Sequence, residues 1–230
     1  MKLSDLRMLS RAIVPGSKVS AISDPLLDIV INSIVVDIAA YTKCLPTSGT
    51  FNVTADDDTY SLSSLLTDFL VPDKPGLWWN NGDMWKKVGP RTLQWLDENK
   101  PNWRDLESDD PRDYDISGDV LTVVPAPAVT LASGFKLYYC KKPVTMASGD
   151  SYPFSGTTVE IPHLSIFDWA IAYGAKWKLM PMLAQNYVDD FGRDKNLYLN
   201  EREEKYRMWK RRPDLSASDE TRLRGPISRI

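Results

Sequence analysis

His163 is the only histidine in the chain, so a Ser-His-Asp or Cys-His catalytic arrangement would have to run through it. It follows Pro162 at the start of a helical pattern, where a helix-terminal or surface histidine is the expected role. Asp97 and Glu98 are candidates for the paired carboxylates of a glycosidase. Neighbouring helical positions point about 100° apart, however, and do not converge on one bond. Asp56-Asp57-Asp58 offers oxygen ligands, but its spacing is not that of a calcium loop, and aspartates suit a solvated turn without any ion. Cys44 and Cys140 are far apart and fit no metal or redox spacing; they are expected to be reduced thiols acting as small apolar residues. G-x-x-x-x-G-K-[ST], G-x-G-x-x-G and G-x-S-x-G are all absent. The expectation is therefore no enzyme, with no catalytic, cofactor-binding or metal-binding residue.

Tryptophan is the next residue type with something to offer. Trp78, Trp79, Trp85, Trp95 and Trp103 crowd into one segment. They could stack on sugar rings or bases, fill the interior of a small sheet, or sit in a subunit interface. Packing of the sheet is the expectation. Trp209 with Lys210-Arg211-Arg212 resembles a nucleic-acid patch, but the cations equally suit a helix C-terminus. The net charge of −3 over 230 residues argues against a dedicated nucleic-acid binder, which would normally be basic. No apolar run looks long enough to span a bilayer, and the first residues lack the apolar stretch of a signal peptide. A protein made and used in the cytoplasm, or in a particle assembled there, is expected.

The elements that must position these residues follow from period and punctuation. A first helix is expected from residue 4 to about 14, stopped by Pro15-Gly16. A second starts at Asp24-Pro25, an N-cap followed by a proline at the first helical position. Leu26, Leu27, Val30, Ile31, Ile34, Val35 and Ile38 give it a wide apolar face, to be buried inside a bundle or against another subunit. Pro46 should end it, with 47–49 as an exit loop. Alternation at 50–54 and 58–62 predicts a hairpin around 55–57. Asn81-Gly82 predicts a second hairpin, between 78–80 and 83–85. A short helix is expected at 91–99, a hairpin at 114–116 and 119–123 around Ser117-Gly118, and a strand at 135–140.

Helical period returns near Pro162, with Leu164, Phe167, Ile171, Ala175 and Leu179 on one face. Ala170, Ala172, Gly174 and Ala175 are small enough for close helix approach. Pro181 should kink or end that helix near Trp177. A last helix is expected at 194–211, with Glu201–Lys205 and Glu203–Arg207 pairs. Residues 213–230 read as an extended tail. The fold class is thus α+β: a helical bundle from 1–49 and 160–212, an inserted antiparallel β-rich unit at 50–159, and an extended C-terminal tail. No internal repeat or low-complexity segment is present.

The order of short motifs carries one further reading. An apolar helix ends near Tyr41, followed by Tyr60-Ser-Leu62, Phe69-Leu-Val-Pro72, Asn81-Gly82, Leu96-Asp97 and Pro101-Asn-Trp103-Arg104. Pro111 and Tyr114 precede Gly118-Asp-Val-Leu-Thr-Val-Val-Pro125-Ala-Pro127. Tyr138-Tyr139, Lys142-Pro143, Ile161-Pro162 and Ala172-Tyr173-Gly174-Ala175 come after. Over residues 25–210 this succession resembles phage head-to-tail adaptor (connector) proteins. It departs from them at Asp113-Tyr114-Asp115, where more aromatics are common, and in length near 65–79.

The resemblance implies a homo-oligomeric ring, usually of twelve subunits, in the virion neck. The ring docks on the portal protein, receives a tail or stopper (nozzle) protein, and continues the DNA channel with only passive proximity to DNA. Genome retention and ejection, assembly in the host cytoplasm, no cofactor and no membrane are implied with it. Leu223, Arg224, Pro226, Ile227, Arg229 and Ile230 would then be the portal-docking tail. Leu27, Ile31, Ile34, Val35, Ala172, Gly174 and Ala175 would pack subunits. Two other readings remain beside it: a Trp-lined carbohydrate-binding virion module using Trp78 or Trp79, and a cell-wall hydrolase using Asp97 or Glu98.

Overall fold

The computed structural model describes residues 1–14, 22–183 and 188–211. Among these the chain is mixed α+β, with six α-helices and two four-stranded sheets. It divides into two compact units. Met1–Thr42 and the chain from Pro143 onward form a helical unit; Lys43–Lys142 form a strand unit. The boundaries expected at 50 and 159 therefore shift to 43 and 142. Residues 143–161 have no regular element, yet they are tied to the helical unit by hydrogen bonds at their backbone. Leu3 N donates to Ser151 O (2.8 Å) and Ser4 N to Gly149 O (3.0 Å), while Met146 N donates to Asn32 Oδ1 (2.9 Å).

In the helical unit, α1 (Leu3–Ile13) starts with the Asp5 carboxylate accepting from Lys2 N. The apolar face of α2 (Asp24–Thr42) is buried against α1 and α5 (Asp168–Leu183). By length and composition α2 is apolar enough to cross a bilayer, which corrects the expectation that no run was. Arg7 joins α1 to α2 through Asp28, with nitrogen–oxygen distances of 2.6 Å. A 3₁₀ turn, Pro162–Phe167, leads into α5, and Leu164, Phe167, Ile171, Ala175 and Leu179 are all buried. Pro181 does not stop α5, which continues to Leu183; the missing N–H removes one bond close to the helix end. The last helix, α6 (Val188–Lys210), starts six residues before the expected 194. Gly192 and the acids before it hide its helical period.

The strand unit contains β1 (Pro46–Val53), β2 (Thr59–Ser61), the single turn α3 (Leu62–Leu65), β3 (Phe69–Asn80), β4 (Trp85–Lys87), β5 (Gly89–Pro90), α4 (Leu93–Asn99), β6 (Asp113–Ser117), β7 (Val120–Val124) and β8 (Leu131–Lys141). One sheet runs β1-β8-β3-β4 and the other β2-β7-β6-β5; only β5 and β6 pair in parallel. The expected 50–54/58–62 hairpin does not form. β1 pairs with β8 and β2 with β7, so the turn at Asp56 (φ 64°) carries the chain from one sheet to the other. Residues 47–49 belong to β1 rather than to an exit loop.

Both sheets share one core. Phe135 is its hub, with ring centroids 5.6 Å from Phe51, 5.5 Å from Tyr60 and 5.2 Å from Trp79. The β3–β4 hairpin closes through residues 81–84, where Asn80 and Asn81 side chains accept backbone N–H groups and Gly82 takes φ 100°. The β6–β7 hairpin closes through Gly118-Asp119. Helix α4, capped by Thr92 Oγ1, lays Leu96 with Trp103 over Val124, on the face of the second sheet turned away from that core.

Candidate interaction surfaces

The carboxylates first weighed for chemistry are held in structural pairs. Asp97 accepts from Arg104 Nη1 (2.5 Å) and Trp103 Nε1 (2.8 Å). Arg104, then Trp103, holds its carboxyl below the usual carboxylate range, so it stays ionised at neutral pH, the wrong state for a general acid. Glu98 instead accepts from Gln94 one turn earlier on α4. Asp56 accepts from Ser108 Oγ (2.5 Å) and Asp57 from Thr59 N (3.4 Å), which makes 56–58 a hydrogen-bonded turn. Among the described residues no three His, Cys, Asp or Glu side chains gather to hold a metal. His163 is half-buried in the 3₁₀ turn before α5, and Cys44 and Cys140 are both buried.

The residues expected to pack subunits are already used within one chain. Leu27, Ile31, Ile34, Val35, Ala172 and Ala175 are buried in the helical unit. A Cβ placed on Gly174 would lie 2.9 Å from Ile34 Cδ1 and Cγ2, so the glycine is there to let α5 close onto α2. Their burial needs no second subunit. The expected docking residues Leu223, Arg224, Pro226, Ile227, Arg229 and Ile230 lie outside the described residues.

Position in the strand decides which tryptophan does what. Trp79 faces the core, fully buried, and its Nε1 donates to Asp110 Oδ1 (3.0 Å). Lys86 Nζ lies 2.6 Å from Asp110 Oδ2, and together Lys86 and Trp79 hold that carboxyl below its ordinary range. Trp103 is buried against α4. Trp95 lies under the Arg91 guanidinium, 4.6 Å from its ring centroid. Trp209 stacks on Tyr206 at the end of α6, where Lys210 also lies over the Tyr206 ring. Trp78 and Trp85 point the other way, onto the outer face of the β1-β8-β3-β4 sheet, and Trp85 is 40% exposed. Carbohydrate stacking by Trp79 is therefore excluded by burial, while Trp78 and Trp85 keep an open side.

The sequence reading found the tryptophans but not their neighbours. In register, Trp78 lies between Lys87 on β4 and Lys136 on β8, and Lys136 Nζ sits 5.1 Å from the Tyr138 ring. No local sequence signal joins residues 58 positions apart; only the β3–β8 pairing does. A second surface lies beyond α4, where a cavity of about 140 Å³ opens beside Leu106 and Glu107, with Val124, Pro125, Lys100 and Arg112 around it. The sequence matches no protein-family model, and no curated protein matches it significantly.

Proposed function

We propose that the chain is a structural head-to-tail adaptor of a tailed phage. It forms a ring between portal and tail, continues the DNA channel, and acts by association rather than catalysis. The organisation of the chain carries this reading. Helices from both ends of the sequence make one unit, and the middle of the sequence makes a separate strand unit entered and left at adjacent strand positions, Pro46 opposite Cys140. Such an arrangement suits a helical bundle scaffold that presents an inserted β-rich module to a neighbour. The ordered motifs from 25 to 210 support the same assignment. The C-terminal segment, with Arg222, Arg224 and Arg229 among Leu223, Ile227 and Ile230, is the proposed portal anchor, its arginines available to pair with an acidic partner.

The test is docking on portal-bearing, DNA-filled heads. The full chain should co-sediment with the heads, and a variant lacking residues 213–230 should fold but fail to dock. Wild-type docking by the truncated chain would move the anchor to the folded units. Failure of the full chain to dock would end the adaptor reading. A second reading, a carbohydrate-binding virion module, is favoured by the outward rings of Trp78 and Trp85. Glycan binding lost in Trp78→Ala would establish it.

A further inference from the structure

Trp78 occupies the middle of a lateral row, Lys87–Trp78–Lys136, on the outer face of one sheet of the strand unit. Neither lysine has an acidic partner among the described residues. The Trp78 indole N–H, shielded from solvent, has no acceptor among them either. Charge is segregated between the two sheets. The strands of this sheet carry Lys74, Lys86, Lys87, Lys136 and Lys141 against Asp73 alone, with Lys86 paired to Asp110 outside the sheet, whereas those of the other carry Asp113 and Asp115 and no cation, Asp113 being paired to Lys100 and Arg91 outside it.

The opposite pattern lies elsewhere on the same unit. The 3₁₀ turn Trp103–Asp105 runs into Leu106, which is extended (φ −67°, ψ 135°) and 49% exposed. Asp105 and Glu107 flank it, both exposed and without a cationic partner among the described residues. Within one chain the two patterns cannot meet. Trp78 faces away from the core shared by the sheets, and the Leu106 segment lies beside Val124, on the far face of the second sheet.

We infer that they meet between copies: the Lys87–Trp78–Lys136 row of one subunit receives Asp105-Leu106-Glu107 of the next. Adjacent strands are about 4.8 Å apart, which sets the two lysine Cα atoms about 9.6 Å apart across the row. Asp105 and Glu107, two steps along an extended chain, are about 7 Å apart. Flexible four-carbon lysine stems cover the difference, and because side chains two steps apart on an extended chain share a side, both acids turn toward the lysines while Leu106 points back toward the cavity beside Val124. A contact between two different surfaces is heterologous, and its repetition closes a ring when the rotation allows. This inference rests on the ring reading above and names its contact.

A charge swap on the full-length chain tests it, read by sedimentation velocity over a concentration series and by copies bound per portal-bearing head. Lys87→Glu/Lys136→Glu and Asp105→Lys/Glu107→Lys should each weaken self-association about tenfold or more, since each places like charges at every contact. An equimolar mixture should restore it, because alternating copies make every contact complementary again. Wild-type association should weaken as salt rises. If both variants assemble as the wild type does, or if the mixture does not recover, this contact is wrong while the ring reading stands. If the wild type self-associates neither alone nor on heads, the ring reading itself fails. Should a charge variant misfold by circular dichroism, Lys136→Cys/Glu107→Cys decides: an oxidised ladder of linked copies supports the contact, and monomer alone sinks it.

Discussion

The partnership of Trp79 with Asp110 shows how much one buried donor constrains. The ring fills the core between the sheets, and its N–H would be a buried orphan without the Asp110 carboxylate. Asp110→Ala should destabilise the strand unit by about 1–3 kcal/mol, the cost of leaving a buried donor unsatisfied. Asp110→Asn should lose less, since a carboxamide oxygen can still accept. Urea titration followed by tryptophan fluorescence measures both, and an unchanged midpoint for Asp110→Ala would remove the bond from the stability argument. Nothing in the local sequence marks Asp110 for this task, because it lies 31 positions from Trp79 in a polar run. Asp97 reverses the case: its neighbours Trp103 and Arg104 are close in sequence, so the motif was visible while its purpose was not.

At the scale of elements, the apolar period of α2 announced a buried helix, and the structure supplies the surface that buries it. Gly174 sets that approach. Gly174→Ala gains about 1 kcal/mol of helix propensity. It must also push Ile34 from a position where a methyl would sit 2.9 Å away, an overpacking cost of about 1–3 kcal/mol. The net change should be a loss of about 1 kcal/mol. Combined with Ile34→Val it should cost less than the sum of the single changes, since the two share one contact. Additive losses in thermal melts would show that the methyl fits without Ile34 moving. Strand pairing was the weaker inference. Alternation marked 50–54 and 58–62 as strands, and strands form there, β1 ending at Val53 and β2 at Thr59–Ser61 with Leu62 already in α3, but each pairs with a distant partner because both inner faces needed the same core.

At the scale of the whole molecule, the division into Met1–Thr42 with the chain beyond Pro143, and Lys43–Lys142, has a physical consequence. The strand unit has its own core, and its ends are brought together by Pro46 opposite Cys140. A fragment of residues 43–142 should therefore fold alone, with a cooperative transition and the near-ultraviolet signal of a packed Trp79. Lack of a cooperative transition would mean that the strand unit depends on the helices for its stability.

Sequence by itself determined the alternation of helical and extended segments, the apolar faces of α2 and α5, and the glycine turns at Gly82 and Gly118. Each depends on neighbours within a few positions, where backbone geometry and side-chain period act directly. The tertiary structure decided the rest. It set the edges of the strand unit at 43 and 142, sent β1 and β2 to different sheets, turned Trp79 inward and Trp78 outward, and placed Trp78 between two lysines. Apart from the local Trp78–Lys87 pairing, those outcomes follow from pairings across about 55 to 95 residues, such as Thr50 opposite Lys136, which are chosen by the shared core rather than by any local preference.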